Sequence, residues 1–255
     1  MEPLQLQRFQ REMSILQDLK HSHLTRLIAS GSESGAPYFV LELVSGGNLD
    51  QFISPHGQPL LSPLQTCQVI ADALLGLDYL HQHGYVHRDI KPENILFQRQ
   101  DGSLLPKLVD FGLARSFEQH GGTLSRTGDC AGTLMYMPPE QITQFKRCQP
   151  PVDLYAMGVT LYYLLTGYYS LDFPSLREIQ QRGAKFRLKK DPVRMILDDP
   201  PTLIHERRPD LPSAICAVVD RAVKKKAADR YPSAMSFRQA LLSVPGVGDR
   251  QVNIS

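Results

Sequence analysis

The stretch PPVDLYAMGVTLYYLLTG, residues 150–167, constrains the fold more than any other part of the chain. Its apolar side chains run almost all the way round a helix, so no face of that helix can be given to water. Polar residues interrupt it too often, and it is too short, to cross a bilayer, which takes about 20 apolar residues. It therefore predicts a helix enclosed on all sides by a large domain. A chain of 255 residues with 42% hydrophobic content can supply that enclosure. Asp153 lies inside the stretch and must find hydrogen-bond donors there.

The rest of the chain reads as a mixture of helices and strands. Leu6, Phe9, Met13 and Leu16 form the apolar stripe of a first helix, with Glu12 beside the stripe and in need of a cation or donors. LTRLIASGS and APYFVLELV read as two strands joined by the turn-rich GSESGA, and SGGNLDQFI leads into a short helix. SPLQTCQVIADALLGLDYLHQHG predicts a long helix. Ser62 caps it, Pro63 fits its first turn, Ile70, Leu74 and Leu77 share a face, and Gly84 ends it. His81 and His83 are expected on the surface at its end. NILFQRQDGSLLPKLVDFG reads as a hairpin turning at Asp101-Gly102. Between Phe173 and Pro212 the pattern weakens, with one helix expected around SLREIQQR. PSAICAVVDRAVKK and YPSAMSFRQALLS read as closing helices, and residues 244–255 as a loose tail.

With 28 basic and 26 acidic residues the net charge is only +2, so no nucleic-acid partner is implied. VKKKAADR reads as a solvated helix end. Cys67, Cys130, Cys148 and Cys216 are scattered without paired spacing or nearby histidines, which predicts reduced thiols rather than a disulfide frame or zinc site. Neither a signal segment nor a membrane segment stands out, and a cytoplasmic location is expected.

The chemistry concentrates in YVHRDIKPENILF, where two acids, two bases and an amide lie between a helix and a strand. Asp89 and Asn94 carry hard oxygens suited to a hydroxyl proton and a metal ion. Further on comes LVDFGLA, in which Asp110 ends a strand at a glycine turn. The ordered pair HRD-x-K-x-x-N and DFG resembles the protein kinase family, to which it is highly specific. GTLMYMPPE, VDLYAMG and AADRYPSA are similar to that family's later landmarks, with Pro138 where alanine is commoner. Lys91 after Asp89, with Thr133 after Gly132, resembles the serine/threonine class, and RPDLP and ADRYPSA its bacterial type.

The resemblance implies an α+β, protein kinase-like fold. Residues 1–44 would form a partial N-lobe of one helix and two strands with the hinge, and residues 45–243 a mainly helical C-lobe. It implies ATP and Mg²⁺ as cofactors and protein substrates as partners, with phosphoryl transfer to Ser/Thr hydroxyls. Asp89 would take or orient the hydroxyl proton, Asn94 and Asp110 would hold Mg²⁺, and Lys91 would touch the transferred phosphate. Thr133 would bridge Asp89 and Lys91. Leu41, Glu42, Leu43 and Val44 would receive adenine along the hinge, with Leu96 beneath the ring. Asp153 would brace the HRD loop, Glu140 would pair with Arg230, and His87 and Phe111 would stack with Leu16. Ser125 and Thr127 resemble the spaced hydroxyls of bacterial-type activation loops, where a phosphate could pair with Arg88; an ordinary Ser/Thr-rich loop is the alternative.

One part of the pattern is missing. No G-x-G-x-x-G precedes Glu12, and residues 1–11 contain no lysine to pair with it, although by motif Glu12 is the ion-pair glutamate of the family. An apolar patch around Phe9, Ile28 and Phe39 should then lie open, as a site for aggregation or for a partner that covers the partial N-lobe. Losing even one charge-stabilising donor costs roughly 10²–10³ in rate, so this chain alone is expected to be nearly inactive. Either Met1 is internal to a longer kinase, or the chain is a pseudokinase-like binding module. A small-molecule phosphotransferase is disfavoured by the DFG-to-PPE activation segment.

Overall fold

The computed structural model describes residues 13, 16–34, 36–54, 57–100, 103–110, 133–144, 148–174, 178 and 190–248. Strand β1 (Leu27–Glu33) and strand β2 (Ala36–Leu41) form an antiparallel hairpin, in register from Ala29↔Val40 to Glu33↔Ala36. Asn48 then caps a 3₁₀ turn, Leu49–Phe52, its side chain accepting the Gln51 N–H. Helix α1 (Pro63–Gln82) begins at Ser62, as its cap residue predicts. Gln65 closes a reciprocal capping box that the sequence reading did not use. A second 3₁₀ turn, Pro92–Asn94, leads into β3 (Ile95–Gln100). This pairs antiparallel with β4 (Ser103–Leu108) from Ile95↔Leu108 to Gln100↔Ser103. The Asp101-Gly102 tip itself lies outside the described residues.

The helices that follow are α2 (Pro139–Thr143), α3 (Pro151–Thr166), α4 (Pro192–Asp198), α5 (Ile204–Arg207), α6 (Ser213–Ala222) and α7 (Ala234–Leu242). Every residue of α3 from Val152 to Thr166 is buried, the enclosure that its all-round apolar sequence demands. Gly167 ends it in the left-handed region at φ 75°, returning its N–H to the Tyr163 carbonyl at 2.7 Å. Where α3 crosses α6, a Cβ on Gly158 would lie 2.7 Å from Ala222 Cβ, so glycine sets that close approach.

Three expectations need correcting. Val244 and Val247 are buried, so the packed chain continues to Val247 instead of loosening at residue 244; residues 249–255 lie outside the described set. Hydrophobic contact with the core overrides the weak helical pattern there. In the β1–β2 hairpin Ile28 is exposed, but Phe39 packs against the core. The strand alternation turns Tyr38 and Val40 outward instead. His81 is not a surface residue: its side chain is 9% exposed and lies against Asp153. Phe9 lies outside the described residues, as does SLREIQQR apart from Glu178, which is helical. Among the described residues, Cys67, Cys148 and Cys216 are free and buried. Also among them, no helix is long and apolar enough to cross a membrane, and no three or more His, Cys, Asp and Glu residues cluster as a metal site.

Candidate active site

The end of α1, the start of α3 and the β3–β4 hairpin converge on the loop that carries His87 to Asn94. Within it Arg88 adopts φ 68°, a left-handed conformation that costs a non-glycine residue roughly 1–2 kcal/mol. Its backbone is held on both sides. The Arg88 N–H donates to Asp153 Oδ1 at 2.7 Å, and its carbonyl accepts from Gln141 Nε2 at 2.8 Å. Asp153 Oδ2 accepts the His87 N–H at 2.8 Å and the His81 Nε2 proton at 2.8 Å. The acid enclosed in α3 thus finds three donors. His81 is drawn inward from the last turn of α1 because this buried carboxylate lies across from it.

The His87 ring is fully buried. Its Nε2 bonds the Val109 carbonyl at 3.0 Å and so carries the proton, while Nδ1 accepts the Asp89 N–H at 3.4 Å. Burial pushes its pKa below the usual histidine range, against the pull of Asp153, Asp89 and Asp110. The ring is therefore neutral with a fixed tautomer. Leu16, expected beside it, is also buried, whereas Phe111 lies outside the described residues.

Asp89, Lys91, Asn94 and Thr133 come together. Asn94 Nδ2 donates to the Asp89 carbonyl at 2.8 Å and to Asp89 Oδ2 at 2.9 Å. Lys91 Nζ lies 3.3 Å from Asp89 Oδ2 and 3.1 Å from Thr133 Oγ1. Lys91, not Thr133, is therefore the shared member, since an ammonium has donors for both oxygens. The Val109 N–H donates to the Asn94 carbonyl at 3.0 Å, which ties the stretch leading to Asp110 to the same turn. Asp110 itself is exposed at φ 59°.

The hinge residues are arranged unequally. Leu41 pairs with Leu27, Leu43 is 85% exposed and Val44 is buried. Glu42 turns its carboxylate inward, where Oε1 accepts from Lys107 Nζ at 2.6 Å and from the Arg26 N–H at 3.0 Å. Leu96, on β3, is the ladder partner of Lys107. Further away, Arg230 spends all five guanidinium donors: on Glu140 Oε1 and Oε2 at 2.5 and 3.0 Å, and on the carbonyls of Pro151, Lys224 and Lys225. Glu12, Ser125 and Thr127 lie outside the described residues.

The donor set suits a hard cation and a hydroxyl substrate. Asn94 commits its amide nitrogen to Asp89, which leaves its Oδ1 for a cation, and the Asp110 carboxylate is exposed. Asp89 Oδ1 is buried and has no hydrogen-bond partner among the described residues, an orphan acceptor of the kind an incoming O–H would satisfy.

Sequence reasoning missed His81, Gln141 and Lys107. Only Lys107 carried a signal, as the one charge within the otherwise apolar run SLLPKLV. Gln141 beside Glu140, and His81 three residues after Asp78, look like ordinary helix-surface residues.

The family profile described as protein kinase domain matches residues 1–241. The serine/threonine-protein kinase PknB of Mycolicibacterium smegmatis is 31% identical over 241 residues, covering 93% of this chain and 36% of its own length. The serine/threonine-protein kinase pkn3 of Myxococcus xanthus is 33% identical over 243 residues, covering 93% of this chain and 42% of its own length. The chain thus spans well under half the length of these curated relatives. Among solved structures, the PknI kinase domain of Mycobacterium tuberculosis superposes with a TM-score of 0.65 at 23% identity, over 94% of this chain and 78% of that one. That likeness bears on the fold.

Proposed function

Because the chain belongs to the protein kinase family, we propose that it forms the catalytic core of a serine/threonine protein kinase, moving the γ-phosphate of ATP to Ser or Thr hydroxyls of protein substrates. The observation that carries this reading is the orphan Asp89 Oδ1, held in place while its sister oxygen is engaged by Asn94 and Lys91. In this reading Asp89 accepts or orients the substrate hydroxyl proton. Lys91 offers its charge to the transferred phosphate and uses Thr133 to stay in position. Asn94 and Asp110 hold Mg²⁺, which supplies charge neutralisation at the phosphates when bound. Leu41 to Val44 and Leu96 bound the adenine slot, and Glu12 serves as the ion-pair glutamate. Ser125 and Thr127 are candidate phosphosites, whose charge would draw on Arg88. The reaction belongs in the cytoplasm, where ATP and reduced thiols coincide.

A second reading is a binding module that keeps the fold without turnover. It differs from the first in turnover alone, since both keep the described fold and its Asp89 cluster. The deciding experiment measures binding of ATP with Mg²⁺ by this chain, and ³²P transfer to a generic Ser/Thr protein substrate. Transfer that falls by about 10²–10⁴ in Asp89→Asn supports the kinase reading. Binding without transfer supports the module, and neither binding nor transfer would defeat both readings for the 255 residues.

A further inference from the structure

The hinge is pinned to the β3–β4 hairpin at both ends, by two different devices. At its exit the Gly46 N–H donates to the Phe97 carbonyl at 2.7 Å, and the Phe97 N–H donates to the Gly47 carbonyl at 2.8 Å. A Cβ on Gly46 would collide with that Phe97 carbonyl, so the close approach needs glycine. At its entry the pin is an ion pair. Lys107 is only 7% exposed, and its Nζ meets Glu42 Oε1 at 2.6 Å and the Leu24 carbonyl at 3.4 Å. Glu42 in turn holds Arg26 reciprocally, its N–H on the Arg26 carbonyl at 2.9 Å and its Oε1 on the Arg26 N–H at 3.0 Å. The segment leading to β1 is itself fastened to β4, since Thr25 N–H donates to the Leu108 carbonyl at 3.0 Å and Leu108 N–H to the His23 carbonyl at 2.9 Å.

A lysine in an interior ladder is costly unless its charge is matched. A leucine or methionine would fill the same volume at lower cost. What the lysine adds is direction: it reaches from the strand that leads to Asp110 across to the hinge. Its ladder partner is Leu96, the residue assigned to the floor of the adenine slot.

We propose that Glu42 and Lys107 are positioning residues that latch the hinge to the strand leading to Asp110 and so set the width of the slot that receives an adenine nucleotide; this rests on the kinase reading above. Neither side chain touches the base. The pair acts by fixing where the hinge backbone lies relative to Leu96 and Asp110.

The test uses the full chain and Glu42→Gln, Lys107→Met and the double substitution. Hydrogen exchange without nucleotide is the first readout. The latch predicts at least tenfold faster exchange at the Arg26 and Glu42 amides in Lys107→Met, with α3 unchanged. A rise throughout the chain, or no rise at those amides, overturns the latch. The second readout is the Kd for ADP with Mg²⁺. Each single substitution should weaken it about tenfold, and the double substitution no further than the worse single. Additive losses, or unchanged affinity where the unsubstituted chain binds ADP, overturn the positioning role. If the unsubstituted chain binds no ADP, the kinase reading fails for these residues, and the exchange result alone decides the latch.

Discussion

Substituting Asp153→Asn keeps the shape of the side chain and removes its charge, which isolates what the carboxylate does for the loop around Arg88. Its two oxygens accept the His87 and Arg88 N–H groups at 2.8 and 2.7 Å, and the His81 ring proton at 2.8 Å. An asparagine can present only one oxygen. If the amide nitrogen replaces Oδ1 it faces the Arg88 N–H, and if it replaces Oδ2 it faces the His87 N–H. Either way one main-chain donor is left buried and unmatched, at a cost of about 1–3 kcal/mol. The surviving bond changes from charge-assisted to neutral and loses about 1 kcal/mol more. The expected destabilisation is therefore about 2–4 kcal/mol, a large share of the roughly 5–15 kcal/mol that holds a domain together. Urea unfolding should show a lower midpoint with an unchanged slope, and hydrogen exchange should quicken at His87 and Arg88 first. A loss below about 0.5 kcal/mol, within the range of an ordinary surface change, would refute the claim that this carboxylate fixes the loop.

Three further outcomes follow from the same structure. His87, His21 and His23 all have pKa values lowered chiefly by burial. Their unfolded forms bind protons first, so stability should decline as pH falls below about 6.5, by up to about 1.4 kcal/mol per unit for each; urea midpoints that stay flat between about pH 7.5 and 5.5 would contradict this. Arg230→Met takes the donors from the part-buried carbonyl contacts with Pro151, Lys224 and Lys225 and from a Glu140 side chain that is still 28% exposed, and should cost about 1–3 kcal/mol or more in denaturant unfolding, with Arg230→Lys recovering little because it lacks the five-donor fork. Leu161→Ala removes a fully buried side chain from α3 and should cost about 2–5 kcal/mol by the same assay, while a cost near zero would mean α3 is not enclosed.

Local signals in the sequence were enough where an element carries its own boundaries. Ser62 and Pro63 start α1, Gly84 follows its end at φ 79°, and the paired runs around Asp101-Gly102 make β3 and β4, because caps and turns act within a few residues. The motif residues Asp89, Lys91, Asn94 and Thr133 could be picked out by family pattern, and they meet in space. The contacts that stayed hidden join residues far apart in the chain. Glu42 and Lys107 are 65 residues apart, and His81 and Asp153 are 72 apart. Nothing in a single sequence links such partners: Asp153 announces a need for donors and Lys107 stands out in an apolar run, but neither says which distant residue answers it. The tail was misjudged for the opposite reason: Val244 and Val247 have too little periodicity to announce an element, yet they find the core.

The loop that carries Asp89 is shaped less by its own sequence than by polar groups sent from elsewhere. Arg88 would not hold a left-handed conformation alone, and the bonds that hold it come from α3 through Asp153 and from α2 through Gln141. Helix α2 is only Pro139–Thr143, too short to be stable by its own hydrogen bonds. It is fixed by Glu140, which Arg230 grips while also binding the carbonyls of Pro151, Lys224 and Lys225. Glu140 and Gln141 are adjacent, so one residue of α2 takes the anchor and the next delivers it to the Arg88 carbonyl. A buried arginine near the end of the chain therefore bears on the geometry of the Asp89 loop without touching it. Apolar packing could hold α2 in place equally well, but it could not set its rotation so closely. A bidentate guanidinium–carboxylate pair has a single favoured geometry. That directional constraint is what the pair of buried Arg230 and part-exposed Glu140 adds at Gln141 beyond what leucine and methionine could supply by filling the space.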